Sequence, residues 1–219
     1  MARKKVAVLI SGRGSNMAAL IAAARKPDYP AEIVLVVSSR AGVAGIERAA
    51  AEDVATAVVD AAATANQAAF EAAVEERLAG AGVEIVCLAG FMRLLSASFV
   101  DRWRDRLVNI HPSLLPAFQG LNTHARAIAA GVRLHGCTVH FVRPAMDDGP
   151  IIAQAAVPVL PDDTAQTLAE RVLAAEHRLY PQGLALVAAE RTRVVGETVV
   201  IADLPPQPSL AMLMSPGAF

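Results

Sequence analysis

The sequence predicts an α/β fold: a single doubly wound, mostly parallel sheet with a C-terminal antiparallel portion. Three observations predict it. Short apolar runs alternate with Ala-rich amphipathic stretches through the first half, as βαβ units require. The first apolar run stops at a glycine turn, Ser11-Gly-Arg-Gly-Ser-Asn16, and passes straight into a helical stretch. After Asn109 the alternation ends, and two strand-like segments follow with only a loop between them. In chain order, strands are expected at 6–10, 32–37, 56–59 and 84–89, separated by helices over 16–25, 42–52 and 64–80 in which alanine supplies helix propensity. An extended segment from Leu107 carries Asn109 and His111. Residues 135–142 and 150–159 read as strands joined by the loop 143–149. A long helix covers 164–189, opened by Asp162, Asp163 or Thr164 as its cap. Residues 193–195 and 198–201 flank Gly196-Glu197 as a hairpin. Residues 1–203 are read as one domain and 204–219, Pro-rich and without periodicity, as a flexible tail.

Composition narrows the function. With 219 residues, 54% hydrophobic and 19% charged, the chain can bury a large core in one unit. A net charge of -1 and a pI near 6.5 give no reason to expect a nucleic-acid or anionic-membrane partner, so any anion site must be local. Cys87 and Cys137 lie in apolar, strand-like stretches without metal-ligand spacing and are expected as buried free thiols. The five histidines, all between 111 and 177, form no ligand pattern either, so no metal is expected. The basic residues Arg3, Lys4 and Lys5 precede an apolar run too short for a signal peptide, and no run reaches membrane-spanning length. The expectation is a cytoplasmic protein acting on small molecules, as a monomer or homodimer.

Four segments are candidates to carry chemistry. In Leu107-Val-Asn-Ile-His-Pro-Ser-Leu-Leu-Pro116, Asn109 and His111 share one face of an extended chain. An amide donor beside an imidazole suits a reaction that passes through a charged tetrahedral intermediate, although a capped strand end with a satisfied histidine has the same pattern. The turn at 11–16 places backbone N–H groups and a helix N-terminus together, the physics of phosphate binding, with Gly12 and Gly14 permitting close approach and Ser15 and Asn16 adding donors. A dinucleotide fingerprint competes weakly: Met17 stands where its third glycine belongs, while Arg40 after the second strand suits a 2′-phosphate. Asp147 and Asp148, in a loop before Gly-Pro, read either as a solvated turn or as a carboxylate folded back on His111, which would favour the imidazolium. The run 84–95 reads as a buried strand entering a loop where a ligand belongs, with Met92, Leu94 and Leu95 flanking Arg93. His124 and His135 are read in polar loop or helix-start contexts as surface or hydrogen-bonding residues rather than catalysts, and His140, in a strand, as a satisfied core histidine in preference to one lined up with a ligand pocket.

Taken in order, S-G-R-G-S-N at 11–16, A-G-F-M-R-L-L at 89–95, N-I-H-P-S-L-L-P at 109–116, H-G-C-T-V-H-F-V at 135–142, D-D-G-P-I-I at 147–152 and A-E-H at 175–177 resemble the folate-dependent formyltransferases over nearly all of residues 5 to 182. The resemblance implies a Rossmann-like formyltransferase fold and transfer of the formyl group of 10-formyltetrahydrofolate, with no metal, to a small ribonucleotide amine of purine biosynthesis. It further implies that Gly14, Ser15 and Asn16 hold the acceptor's phosphate and that Glu176 contacts its ribose. Met92, Arg93, Leu94, Leu95, Asn109 and Val142, with the 142–147 loop, would embrace the folate. Asn109, His111 and Asp147 would be catalytic. Relatives that formylate methionyl-tRNA carry a further RNA-binding domain, and those that hydrolyse formyl-folate carry an N-terminal regulatory domain; neither is expected here. The chain departs from the pattern at Asn122, where many relatives have histidine, and at Gln67, where a basic residue near the folate tail is common. An NADP-dependent reductase using Gly12, Gly14 and Arg40 and a non-catalytic folate-binding module are the competing readings.

Overall fold

The residues from Val6 to Ile10 are all apolar and all fully buried, as a strand covered on both faces must be. In the computed structural model, which describes residues 2–203, they belong to the middle of a seven-stranded sheet. Its strands are β1 (Lys4–Ile10), β2 (Ala31–Ser38), β3 (Thr56–Val58), β4 (Ile85–Leu88), β5 (Leu107–His111), β6 (Leu134–Phe141) and β7 (Ile151–Pro158). The spatial order is β3-β2-β1-β4-β5-β6-β7, parallel from β3 to β5 and antiparallel from β5 to β7. This is the doubly wound parallel sheet with an antiparallel C-terminal portion that the alternation predicts. The strand order reverses between β1 and β4, and the crevice outside their carboxyl ends is where α/β sheets bind ligands.

Helices α1 (Ser15–Ala24), α2 (Ala44–Ala51), α3 (Gln67–Gly80) and α6 (Ala165–Ala188) fall close to the expected segments. Asn66 accepts the Ala69 N–H at 2.9 Å and so starts α3 later than the composition suggests. Thr164 and Thr167 form a reciprocal capping box at the start of α6. Two short helices, α4 (Ala97–Arg102) and α5 (Thr123–Ala129), were not expected: neither is long enough to show a 3.6-residue period. A hairpin of β8 (Thr192–Val195) and β9 (Thr198–Ile201) closes the described chain, and the expected tail at 204–219 lies outside the described residues.

Two cores flank the sheet. One includes Val8, Ile10, Val108, Ile110 and Val139 beneath α1 and α6; the other includes Leu9, Leu35, Phe70, Val74, Trp103 and Leu107 beneath α3 and α4. Each buried aliphatic or aromatic side chain contributes about 1.5–3 kcal/mol. Helix α6 is seated tightly, because a Cβ on Gly183 would come within 2.8 Å of the Val139 side chain. One turn earlier, the fully buried Tyr180 places its hydroxyl 3.0 Å from both the Leu88 and the Val108 carbonyls. That hydroxyl bridges β4 and β5 at the strand that carries the candidate chemistry. Cys87 and Cys137 are buried free thiols, and burial pushes each up to about 12.

Candidate active site

The β5 segment alternates strictly. Val108 and Ile110 point into the α1/α6 core, so Asn109 and His111 share the other face. The register of β5 against β6 then sets Asn109 opposite His140 and His111 opposite Thr138. The Asn109 and His140 side chains meet, with Nδ2 of the amide 3.1 Å from Nε2 of the ring. His140 Nδ1 lies 3.0 Å from the Phe141 carbonyl and must donate to it, which leaves Nε2 as the acceptor from Asn109. Burial drives the His140 pKa down, partly opposed by the Phe141 carbonyl and by Asp147, and so favours this neutral tautomer. His140 therefore orients the amide and leaves its second N–H for another acceptor. His140 is buried, as expected of a core histidine, and its pairing with Asn109 follows from strand register, which the sequence does not display.

His111 is 5% exposed and has an acceptor at each ring nitrogen. Nδ1 is 3.2 Å from Asp147 Oδ1, and Nε2 is 3.1 Å from the Phe118 carbonyl. Only a doubly protonated ring donates to both. Of the two acidic residues before Gly149, Asp147 is the one folded back; its Oδ2 accepts the Gly120 N–H at 2.7 Å. Burial alone would raise the Asp147 carboxyl, but the His111 bond, the Gly120 N–H and the His111 charge outweigh it and hold the group below the usual carboxylate range.

The reading of His135 in a polar loop or helix-start context is corrected: it is 1% exposed within β6, as expected of the strand over 135–142, because the strand begins at Leu134 and buries it at once. Its ring packs edge-on against Phe118 and His124, and neither ring nitrogen has a hydrogen-bond partner among the described residues. His124 is the second residue of α5 and is partly buried.

At the β1–α1 turn, Gly14 adopts φ 68°, and a Cβ there would lie 3.1 Å from the Gly45 backbone, so glycine is needed for conformation and space alike. No side chain caps α1, which leaves its first N–H groups for an anion. Asn16 reaches across to α6, its Nδ2 donating to Glu176 Oε2 at 2.6 Å. Its buried Oδ1 has no partner among the described residues. Burial raises the Glu176 pKa, and the Asn16 bond and the His111 charge offset this in part.

The loop after β4 joins this turn through Met92 N–H, which donates to Ser11 Oγ at 2.9 Å. Met92 and Leu94 are about two-thirds exposed, at 70% and 67%, and Arg93 is exposed, as a binding surface requires and a core does not. Leu95 and Val142 are half-buried. Gln67 donates through Nε2 to the Leu94 carbonyl at 3.2 Å and to Glu71 at 3.0 Å, so it buttresses this loop. Asn122 takes a left-handed conformation, φ 56°, at the start of α5, which asparagine tolerates better than most residues.

Residues 4–184 match the formyl transferase family model. A crystal structure of phosphoribosylglycinamide formyltransferase from Brucella melitensis superposes with a TM-score of 0.82 and 54% identity, covering 85% of this chain and 96% of that one. The chain belongs to the formyl transferase family. Among relatives of this formyl transferase, the phosphoribosylglycinamide formyltransferase of Haemophilus influenzae is 40% identical over 178 residues, 81% of this chain and 84% of the relative. The trifunctional purine biosynthetic protein adenosine-3 of Gallus gallus is 52% identical over 190 residues, 87% of this chain, yet the match spans only 19% of that relative. Among the described residues no group of three or more His, Cys, Asp and Glu could hold a metal, and no helix is long and apolar enough to cross a membrane.

This arrangement yields a first prediction. His140→Ala is expected to free the Asn109 amide and lower kcat by roughly tenfold to a hundredfold with little change in KM, since a misplacement of about 1 Å can have that effect. His140→Gln, whose carbonyl can still accept from Asn109, is expected to restore part of the rate; a shift in KM alone would argue against an orienting role.

Proposed function

We propose that this formyl transferase carries the formyl group of 10-formyltetrahydrofolate to the amine of N1-(5-phosphoribosyl)glycinamide, in the cytoplasm. Asn109, His111 and Asp147 perform the chemistry. The observation that carries this reading is the pairing of His111 with Asp147 on the face of β5 that also presents the Asn109 amide. The amine attacks the formyl carbon, and the carbonyl electron pair moves onto oxygen. The free Asn109 N–H and the cationic His111 stabilise that oxyanion, His111 through the Nε2–H held on the Phe118 carbonyl in this structure. Collapse breaks the bond to N10 of the folate. Asp147 keeps His111 charged and helps a water carry the amine proton to the departing nitrogen. No covalent enzyme intermediate and no metal is needed.

The acceptor's phosphate sits on Gly14, Ser15 and Asn16 at the uncapped α1 terminus, and Glu176 accepts from its ribose hydroxyls. Met92, Arg93, Leu94, Leu95, Asn109 and Val142 take the folate. The names of the relatives support the acceptor, and the exposed apolar loop after β4 supports the folate.

The test is the absorbance change on mixing protein with 10-formyltetrahydrofolate, with and without the ribonucleotide. Turnover is expected to require the ribonucleotide and to fall at least about 10²-fold in His111→Ala. Loss of formyl without the acceptor would indicate a hydrolase, and full activity in the variant would remove His111 from the chemistry.

A further inference from the structure

Residues 143–149 form the loop that carries Asp147, and Arg143 is the one buried residue in it. At its tip the loop is tied by the Asp147 carboxylate to His111 and to the Gly120 N–H, and by Gln119 Nε2, which donates to the Asp147 carbonyl at 3.1 Å. Packing supports the loop poorly: a cavity of about 320 Å³ is lined by Asp147, Asp148 and Gly149 together with Leu115 and Val199, so protein does not fill the space beside it. The place of the Asp147 carboxylate therefore depends also on how the loop is held at its neck. There the Phe141 N–H donates to the Pro150 carbonyl at 3.0 Å, and a Cβ on Gly149 would meet the Phe141 carbonyl and come within 2.9 Å of Arg143 Cγ. The Val142 N–H donates to the Leu107 carbonyl at 2.9 Å, so Arg143 stands where the chain leaves β5. Its side chain is 8% exposed, and its Nε is enclosed without a hydrogen-bond partner among the described residues. Arginine is rarely buried unless paired, because nearby acceptors must offset the removal of a guanidinium from water. Nη2 donates to Asp105 Oδ1 at 2.8 Å, in the turn between α4 and β5, and Nη1 donates to the Val142 carbonyl at 3.2 Å. Nε lies 3.8 Å from Glu197 Oε2, in the turn of the β8–β9 hairpin. One buried cation thus joins the neck of the loop to the turn that launches β5 and to the hairpin.

We propose that Arg143 is a positioning residue for formyl transfer: its guanidinium clamps the neck of the 143–149 loop to Asp105 and so sets the Asp147 carboxylate on His111. The proposal rests on the role given to Asp147 above. Arg143 is not itself catalytic, because its charge is enclosed and engaged by Asp105, whereas Asp147 and His111 meet at the far end of the loop. Without that charge the neck is free to shift, and a misplacement of about 1 Å at a reacting group can cost about 10²-fold in rate. Asp105 takes a left-handed conformation, φ 57°, which asparagine also visits readily, so Asp105→Asn removes the charge from the clamp without straining the turn.

The experiment is a double-mutant cycle in steady-state kinetics with 10-formyltetrahydrofolate and the ribonucleotide. Arg143→Met keeps the aliphatic stem and removes the charge. It is expected to lower kcat roughly tenfold to a hundredfold with both KM values within about threefold of wild type, and Arg143→Lys to recover part of the loss. In an Asp147→Asn background, Arg143→Met is expected to lower kcat by less than about twofold further, because a residue that acts through Asp147 then has nothing left to position. Asp105→Asn is expected to lower kcat about fivefold to tenfold with the same non-additivity, and it carries the test if Arg143→Met does not fold. A kcat within about threefold of wild type in Arg143→Met, or in Asp105→Asn where that variant carries the test, would overturn the clamp and leave the proposed function standing. Losses that multiply with that of Asp147→Asn would do the same, since Arg143 would then act by another route. An Asp147→Asn variant as active as wild type, or a wild-type chain without ribonucleotide-dependent turnover, would overturn the proposed function and the clamp with it.

Discussion

Asn109→Ala is expected to lower kcat by about 10²–10³, the usual effect of deleting one preorganised oxyanion donor, with a smaller change in KM. The amide qualifies as preorganised because one of its N–H bonds is spent on His140 Nε2, which fixes the direction of the other. His140 in turn is fixed by the Phe141 carbonyl, so two consecutive hydrogen bonds set the amide before substrate arrives. Steady-state kinetics on the variant, with urea unfolding to show that the fold survives, checks this. Asn109 is only half-buried, and truncation opens little core, so a loss of stability large enough to explain the rate is not expected. A kcat within about threefold of wild type would place the oxyanion elsewhere.

The second large effect concerns stability. Burial, reinforced by the charge of His124, pushes the His135 pKa from 6.5 down to about 4, and the Pro112 carbonyl offsets only part of this. Between those two values the unfolded chain binds a proton that the native chain does not. Native stability is therefore complete above about pH 6.5 and is lost as pH falls toward 4. His135 alone is expected to remove on the order of 2 kcal/mol between pH 7 and pH 5. His135→Leu should flatten the pH dependence of the urea midpoint by that amount, whatever its effect at pH 7. An unchanged slope would mean that the ring protonates in the native state.

Much of this molecule was legible in the sequence, for identifiable reasons. Strands β1, β2 and β4 are apolar runs bounded by turns, and helices α1, α3 and α6 are long enough to show their period. The turn at Ser11–Asn16 was legible because glycine at Gly14 answers a local backbone requirement. What stayed hidden depends on register and on short elements. Helices α4 and α5 carry too few residues to display a face. The Asn109–His140 pair exists only because β6 returns antiparallel at one offset. The residues alone do not distinguish Asp147 from Asp148; the family resemblance singles out Asp147, and the loop geometry folds that carboxylate back on His111. The burial of His135 was hidden because a polar neighbourhood in sequence becomes a buried one in space.

Strand β5 pairs in parallel with β4 on one side and antiparallel with β6 on the other. A slip of one residue against either neighbour would turn Asn109 and His111 to the opposite face, and both ladders forbid it. The Ser11–Asn16 turn belongs to the parallel half of the sheet, while the 142–147 loop grows from the antiparallel half. The chemistry is thus written on a seam whose position neither half can move alone. A change confined to a loop on one flank of that seam would therefore leave the facing of Asn109 and His111 on β5 as it is.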